Sequence, residues 1–336
     1  MEFQLLLGAQ GYVSKGDDPR ILLKAVRKVV AGDNFISPQL AEAVMGRPLG
    51  SEREAAAGLG ISSTPIQGAP VPHPSPIISR GSAILLEAVD LACLSDRARP
   101  ALRGLSFNIR RGEILGVAGV DGNGQGELAE VLTGLRKASG TLRLDGRDRF
   151  QRTPAAARAA GVVHLPEDRH RRALCLPLSV EENFALGRQR NPPYARGVLI
   201  DKAGRRDKAL QLVRDFDVRP PDPLARAGDL SGGNQQKLVA ARELAGGAPP
   251  RLVVAVQPTR GLDLGASRRV HDALRQARDD GAAVLLISLD LDELRAVGDR
   301  ILVLYDGRAT GEAGPGASDD ELGRLMLGAT ETAAHA

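Results

Sequence analysis

Gly119 and Gly124 stand five residues apart directly after the run Glu113–Ala118, with Gly122 and Asn123 between them and Gln125 and Gly126 behind. Glycines at this density let successive backbone N–H groups point inward, and a following helix adds the positive end of its dipole. Together these features make a cradle for phosphate. The full pattern is Gly, any four residues, Gly, then Lys and Ser or Thr. Here Gln125 replaces the Lys and Gly126 the hydroxyl residue. Gln125 can donate a hydrogen bond to a phosphate oxygen but brings no charge, and Gly126 offers Mg2+ no hydroxyl. Alone, the stretch reads equally well as a Gly-rich turn packing a helix on a strand.

A second segment is more specific. Leu230-Ser-Gly-Gly-Asn-Gln-Gln-Lys237 is followed by helix formers to Ala245. Ser231, Gly232 and Gly233 open that helix, so a hydroxyl and bare N–H groups face outward at its N-terminus. This arrangement suits a phosphate presented by another surface. A Ser-Gly pair alone would serve as a helix cap; the eight-residue string asks for more.

These residues need strands and helices to hold them. Ile84–Ala88 and Leu105–Ile109 read as strands joined by a turn-rich stretch, and Glu113–Ala118 as a short strand running into the glycine loop. A helix of good formers, Glu127–Leu132, follows. Further on, Leu252–Val256, Ala283–Ser288 and Ile301–Tyr305 are strands rich in Leu and β-branched residues, separated by helical segments. The alternation continues to about residue 330, which indicates an α/β domain. With aromatics at 3% and no Trp, the core rests on Ala, Val, Leu and Ile, as in a parallel sheet covered by helices.

In this order the landmarks resemble the ATP-binding cassette ATPases, whose signature is Leu-Ser-Gly-Gly. Arg111-Gly-Glu-Ile-Leu-Gly116 precedes the phosphate loop, and Leu165-Pro-Glu-Asp-Arg169 falls where that family has its Q-loop. Pro258-Thr-Arg-Gly-Leu-Asp263 looks like the D-loop region, and Asp299–Gly307 like the closing strand and turn. The finer strings resemble the second, C-terminal cassette of fused sugar-type importers, with the nucleoside and simple-sugar branch fitting best. The resemblance implies a P-loop NTPase fold of the cassette type. Its core is a mixed sheet with an antiparallel β edge, and a helical subdomain is inserted at about 169–245 of a domain spanning 81–332.

The same resemblance exposes departures. Val256 and Gln257 stand where the family has the Asp that holds Mg2+ through water and the Glu that polarises the attacking water. Leu289 stands at the switch His. Neither Val256 nor Gln257 can take a proton from water, so no catalytic residue is intact. Removing the Lys charge, the Mg2+ ligands and the carboxylate together costs several powers of ten in rate. The signature is intact, however, and family cassettes dimerise head to tail. Ser231, Gly232, Gly233 and Gln235 are therefore expected to complete a partner's ATP site, with activity only beside that partner. The resemblance puts Glu167 in a Q-loop-like turn, which in the family touches the membrane subunit, and Asp263 in the D-loop. Asp290, Asp292 and Glu293 read as acids favoured by a helix N-terminus.

The expected ligands are ATP and Mg2+, both weak at the chain's own loop. The expected partners are a complementary cassette and membrane permease subunits, at the cytoplasmic side of a membrane. The rival reading is a regulatory or scaffold protein that keeps the fold and only binds nucleotide, or nothing. Net charge is +4 from 45 basic and 41 acidic residues. The charges are mixed rather than gathered in a stripe, which argues against a nucleic-acid partner. Cys93 and Cys175 have no metal spacing and suit a reducing compartment. The apolar runs fall far short of the ~20 residues that span a bilayer.

Residues 1–45 are a separate matter. Gly8–Lys15 and Leu22–Gly32 resemble the last strand, loop and helix of a response-regulator receiver domain, with Lys15 at its phosphate-sensing lysine. The phosphoacceptor Asp and acidic pocket have no counterpart, so a working phosphorelay switch is excluded. This short N-terminal α/β remnant joins the rest through a 46–80 linker holding six prolines. Leu40–Gly46 also echoes Leu322–Gly328 in spacing, either as a shared helix-then-Gly stop or as the tail of an earlier copy of the domain.

Overall fold

The strands with the most uniformly apolar runs are those sealed on both faces. In the computed structural model the chain divides into two units, Met1–His73 and Pro74–Ala336. The structure describes residues 11–12, 35–36, 83–148, 151 and 153–329. In the first unit these are two short parallel strands, β1 (Gly11–Tyr12) and β2 (Phe35–Ile36). Apart from these four residues, the receiver-like segment, Lys15 included, and the whole 46–80 linker lie outside the described residues.

The second unit holds two large sheets. One is antiparallel, with β4 (Pro100–Arg110), β3 (Ile84–Leu94), β6 (Ser139–Leu144) and β7 (Arg147–Asp148) side by side in that order. The other has six strands. They are β5 (Glu113–Ala118), β8 (Val162–Leu165), β11 (Leu252–Val256), β12 (Ala283–Ile287), β13 (Arg300–Tyr305) and β14 (Arg308–Ala313), in the order β14-β13-β5-β12-β11-β8. Only the β13–β14 pairing is antiparallel. Every residue of β5, β11 and β12 is buried, the pattern of parallel strands covered on both sides.

One core lies between the sheets and includes Leu86, Leu105, Val117, Val254 and Leu285. Helix α1 (Gln125–Leu132) adds Leu128 and Leu132 to it. The other face of the large sheet is covered by α7 (Leu264–Asp279), α8 (Leu291–Val297) and α9 (Asp319–Met326), through residues such as Val270, Leu294 and Leu322. Helix α2 (Pro154–Ala159) leads into β8.

Residues 169–245 form α3 (Arg169–Arg172), α4 (Val180–Ala185), α5 (Lys202–Asp215) and α6 (Gly232–Ala245), with a small hairpin of β9 (Ala195–Arg196) and β10 (Leu199–Ile200). They share a core of their own around Phe184, Tyr194, Leu212 and Leu238.

The sheet positions the site. Because β5, β12 and β11 run parallel and adjacent, the loops that leave their C-terminal ends come out at one edge. Backbone bonds stitch these exits together: Gln257 N–H donates to the Ile287 carbonyl at 2.9 Å, and Ser288 N–H to that of Val117 at 3.4 Å.

Candidate nucleotide site

The chain leaves β5 at Gly119 and returns to helix at Gln125, two residues earlier than the run of good helix formers indicates. Helix α1 has no side-chain cap at its start, so its first N–H groups are available to an anion. Asn123 pins the loop to the turn after β13: its Oδ1 accepts from Asp306 N–H at 2.9 Å, and its carbonyl from Gly307 N–H at 3.2 Å. Gln125 is 7% exposed, and its Nε2 donates to the Val120 carbonyl at 3.1 Å. The side chain in the Lys position therefore folds back onto its own loop.

Gly124 shows how tightly the loop is seated. Its φ is +101°, and a Cβ there would lie 2.6 Å from the Ala101 carbonyl oxygen. Gly124→Ala should therefore lower stability by about 1–3 kcal/mol. Chemical denaturation checks this, and a loss below half a kcal/mol would contradict the seating.

Ser231 is exposed and caps α6, its Oγ accepting from Asn234 N–H at 3.4 Å and Nδ2 at 2.9 Å. Gly232 and Gly233 are partly exposed beside it. Gln235 departs from expectation, being 4% exposed and turned into its own chain. Its Oε1 accepts from Arg169 Nε at 3.2 Å and lies 2.7 Å from His170 Nε2, while its Nε2 donates to the Ala227 carbonyl at 3.1 Å. The physical reason is that α3 packs over this face of α6. Arg169 Nη2 lies 2.7 Å from where a Cβ on Gly232 would project, so a side chain there would make the guanidinium shift.

Val256 ends β11 with 8% exposure, and Gln257 follows in the left-handed region at φ +48°. Gln257 lines an open cavity of about 570 Å3 together with Glu167, Arg169, Gln236, Arg260 and Gly261. Glu167 pairs with Arg260 across it, and Gln236 Nε2 donates to the Pro258 carbonyl at 2.9 Å, tying α6 to the loop after β11. Leu289 follows β12 and is half exposed. Asp263 caps α7, and the bond it accepts from Ala266 N–H holds its carboxyl below the usual range.

The family model described as ABC transporter matches residues 102–254. The chain carries an ABC transporter ATPase cassette domain. The nucleoside import ATP-binding protein NupA of Lactococcus lactis is 44% identical over 247 residues, which cover 73% of this chain and 48% of that protein. The glucose import ATP-binding protein TsgD13 of Haloferax volcanii is 43% identical over 256 residues, 75% of this chain and 46% of that one. The chain thus spans about half the length of the curated relatives it matches. A solved ATP-binding subunit of an ABC transporter superposes with a TM-score of 0.59 at 22% identity, over 72% of this chain and 99% of that one, which shows the fold.

The cassette's own loop does not fit Mg2+. The two positions that would ligate it, Gly126 and Val256, carry no side-chain oxygen. Among the described residues no group of three or more His, Cys, Asp or Glu is placed to hold a metal.

Two networks behind this edge are not readable from motif spacing. Asp290 caps α8, accepting from Asp292 and Glu293 N–H. Glu293 lies in the first turn, as expected, and is only 5% exposed. Its Oε1 accepts from Thr259 Oγ1 at 2.7 Å and lies 2.8 Å from His271 Nε2. Burial works to raise its pKa, yet bonds from His271, Ser288 and Thr259 hold it below the usual range.

The second network surrounds a small cavity of about 150 Å3 lined by Thr133, His164, Arg158, Arg172, Arg242 and Glu243. Burial pushes the His164 imidazole down from 6.5 to about 4. The unfolded chain therefore binds more protons between those values. His164 contributes stability that is full above pH 6.5 and lost as pH falls toward 4. Denaturation at pH 7 and pH 4.5 should differ less in His164→Gln than in the parent, by on the order of 2 kcal/mol. Equal slopes in the two proteins would refute the assignment.

Proposed function

We propose that this chain is the ATP-binding subunit, in the manner of a second cassette, of an ABC importer for nucleosides or simple sugars. It gives its Ser231-Gly232-Gly233 edge to the ATP held by a complementary cassette, while its own phosphate loop turns over little. The observation that carries this reading is an exposed Ser231 capping α6 in the same domain whose Lys position is a Gln bonded to its own loop. A solvent-facing hydroxyl and the N–H groups behind it suit a phosphate arriving from another protein. Val256 and Gln257 supply neither a metal ligand nor a proton acceptor.

The relatives' names for nucleoside and glucose import support the solute class. The partners in this reading are a complementary cassette with an intact phosphate loop and membrane permease subunits on the cytoplasmic face. Among the described residues no helix is long and apolar enough to cross a membrane, consistent with a peripheral subunit. Arg169, held by Gln235 against Gly232, links the signature to the Glu167–Arg169 turn.

The test is ATP turnover by the chain alone and then with a cassette bearing an intact phosphate loop. Turnover in the mixture only is the expected result. Strong turnover by the chain alone would refute the division of labour. The absence of any ATP response, alone or mixed, would favour the scaffold reading, which the self-bonded Gln125 also suits.

A further inference from the structure

The hairpin between α4 and α5 presents apolar side chains that nothing in the nucleotide site uses. Val198 is 100% exposed, Leu199 72% and Ile200 60%. No other exposed large apolar residues among the described ones are neighbours in the chain. The turn explains why they project. Leu199 pairs with Arg196 and Ile200 with Ala195, leaving the two-residue loop Gly197-Val198. Gly197 has φ +64°, the conformation a tight hairpin needs at its first position, and Val198 is thrown to the apex.

The base of the hairpin is fixed. Tyr194 is 1% exposed and donates through its OH to the Gly246 carbonyl at 2.9 Å, and Ala195 is 4% exposed. Asp201 N–H donates to the Tyr194 carbonyl at 3.0 Å, and the Asp201 carboxylate caps α5. The apolar tip is thus held out in one geometry, without the ordering cost of a floppy loop.

Its surroundings are cationic. Residues 188–208 carry seven Arg or Lys against two Asp, with Arg188 among them buried beside Glu243. Arg205 and Arg206 pair with Glu181. Arg190 and Lys202 have no carboxylate partner among the described residues, and Arg196, paired to Asp201, remains 84% exposed.

We propose that Val198, Leu199 and Ile200 form a contact element for an anionic lipid surface, inserting at the bilayer interface while Arg190, Arg196 and Lys202 meet the headgroups. Area and shape choose this occupant over a protein. Three aliphatic side chains on a convex tip fall well short of the roughly 800 Å2 per partner of a stable protein interface. The exposed tip also carries neither Trp nor Tyr, two of the anchors that dominate such interfaces. A bilayer interface needs no complementary pocket, accepts aliphatic tips and attracts the surrounding cations.

The chain contains no Trp, so Val198→Trp in the full chain is a unique reporter. With vesicles of equal parts phosphatidylglycerol and phosphatidylcholine, its emission should shift to the blue. Binding should be about tenfold weaker or more with phosphatidylcholine alone, or in high salt. Co-sedimentation of the parent chain should fall by a similar factor when all three tip residues become Ser, and also in Arg190→Glu/Lys202→Glu. All of these positions are exposed, so thermal unfolding of the variants should match the parent.

Leu327→Trp, 78% exposed at the end of α9, should show no shift. An unshifted Val198→Trp, a triple-Ser variant that binds vesicles as the parent does, or an equal shift at Leu327 would each overturn the proposal. A tip that answers only to a protein partner appears as the first of these. Neither ATP nor a second cassette takes part, so the outcome is independent of the importer reading.

Discussion

ATP turnover by the mixed pair of cassettes falls by about a hundredfold or more when Ser231 becomes Arg, the size of effect that follows losing preorganised donors at a developing phosphate charge. Three physical changes act together. The cap bond that Ser231 Oγ accepts from Asn234 N–H disappears, at a cost of about 1 kcal/mol to the start of α6. The hydroxyl donor is removed, and a long side chain occupies the approach to Gly232 and Gly233. The domain stays folded, because Ser231 is solvent-exposed and α6 is anchored by the buried Leu238 and Val239. Circular dichroism of the variant and ATP binding by the partner cassette should therefore be unchanged. Mixed turnover that survives Ser231→Arg would refute the role given to this edge.

The largest effect on stability is expected at Glu243. It is 1% exposed and lies among three guanidiniums. Arg242 Nε donates to it at 2.7 Å, Arg158 Nη1 at 3.1 Å, and Arg188 Nη2 stands 3.9 Å away. Burial works to raise the Glu243 pKa, but the charges of Arg242, Arg158 and Arg188 prevail and hold it below 4.5. A lowered folded pKa means that the carboxylate stabilises the fold above the unfolded value and loses that contribution as pH falls through the folded one. Glu243→Gln leaves the buried guanidiniums of Arg242 and Arg188 uncompensated, a loss of about 3–5 kcal/mol. For a domain of this size the melting temperature drops by roughly 10 °C. Adding Arg158→Gln should return part of the loss, because the two sites are coupled. Thermal unfolding of the single and double variants measures both, and a drop below about 2 °C would show the cluster to be hydrated.

Much of this was legible in the sequence where one signal dominates. Leu252–Val256 coincides with β11 because a run of apolar residues flanked by Arg251 and Gln257 has no other place in an α/β domain. The Ser231 cap was equally plain, since Ser before two glycines and a run of helix formers has one local solution. The antiparallel strands were harder. Strands β3 and β4 reach Leu94 and Pro100, well past the apolar cores of their runs, because register shifts at Ala88–Leu91, Leu91–Ala92 and Cys93–Leu94 break the alternation.

The inward turn of Gln235 and the burial of Glu293 were not legible. Each depends on a residue from a distant element, Arg169 for one and His271 for the other. Local spacing says which helix a side chain belongs to, not which neighbour packs over it. His164, Arg158 and Glu243 meet for the same reason, 85 residues separating the last two.

The amide of Gln125 closing on the Val120 carbonyl has a wider consequence. A lysine there would carry a charge that only a bound polyphosphate neutralises well, so the loop's shape would answer to whether nucleotide is at hand. A glutamine that completes its own circuit removes that dependence. Under the proposed division of labour the loop keeps one shape with or without nucleotide, and any answer to ATP supply would come through the Ser231 edge.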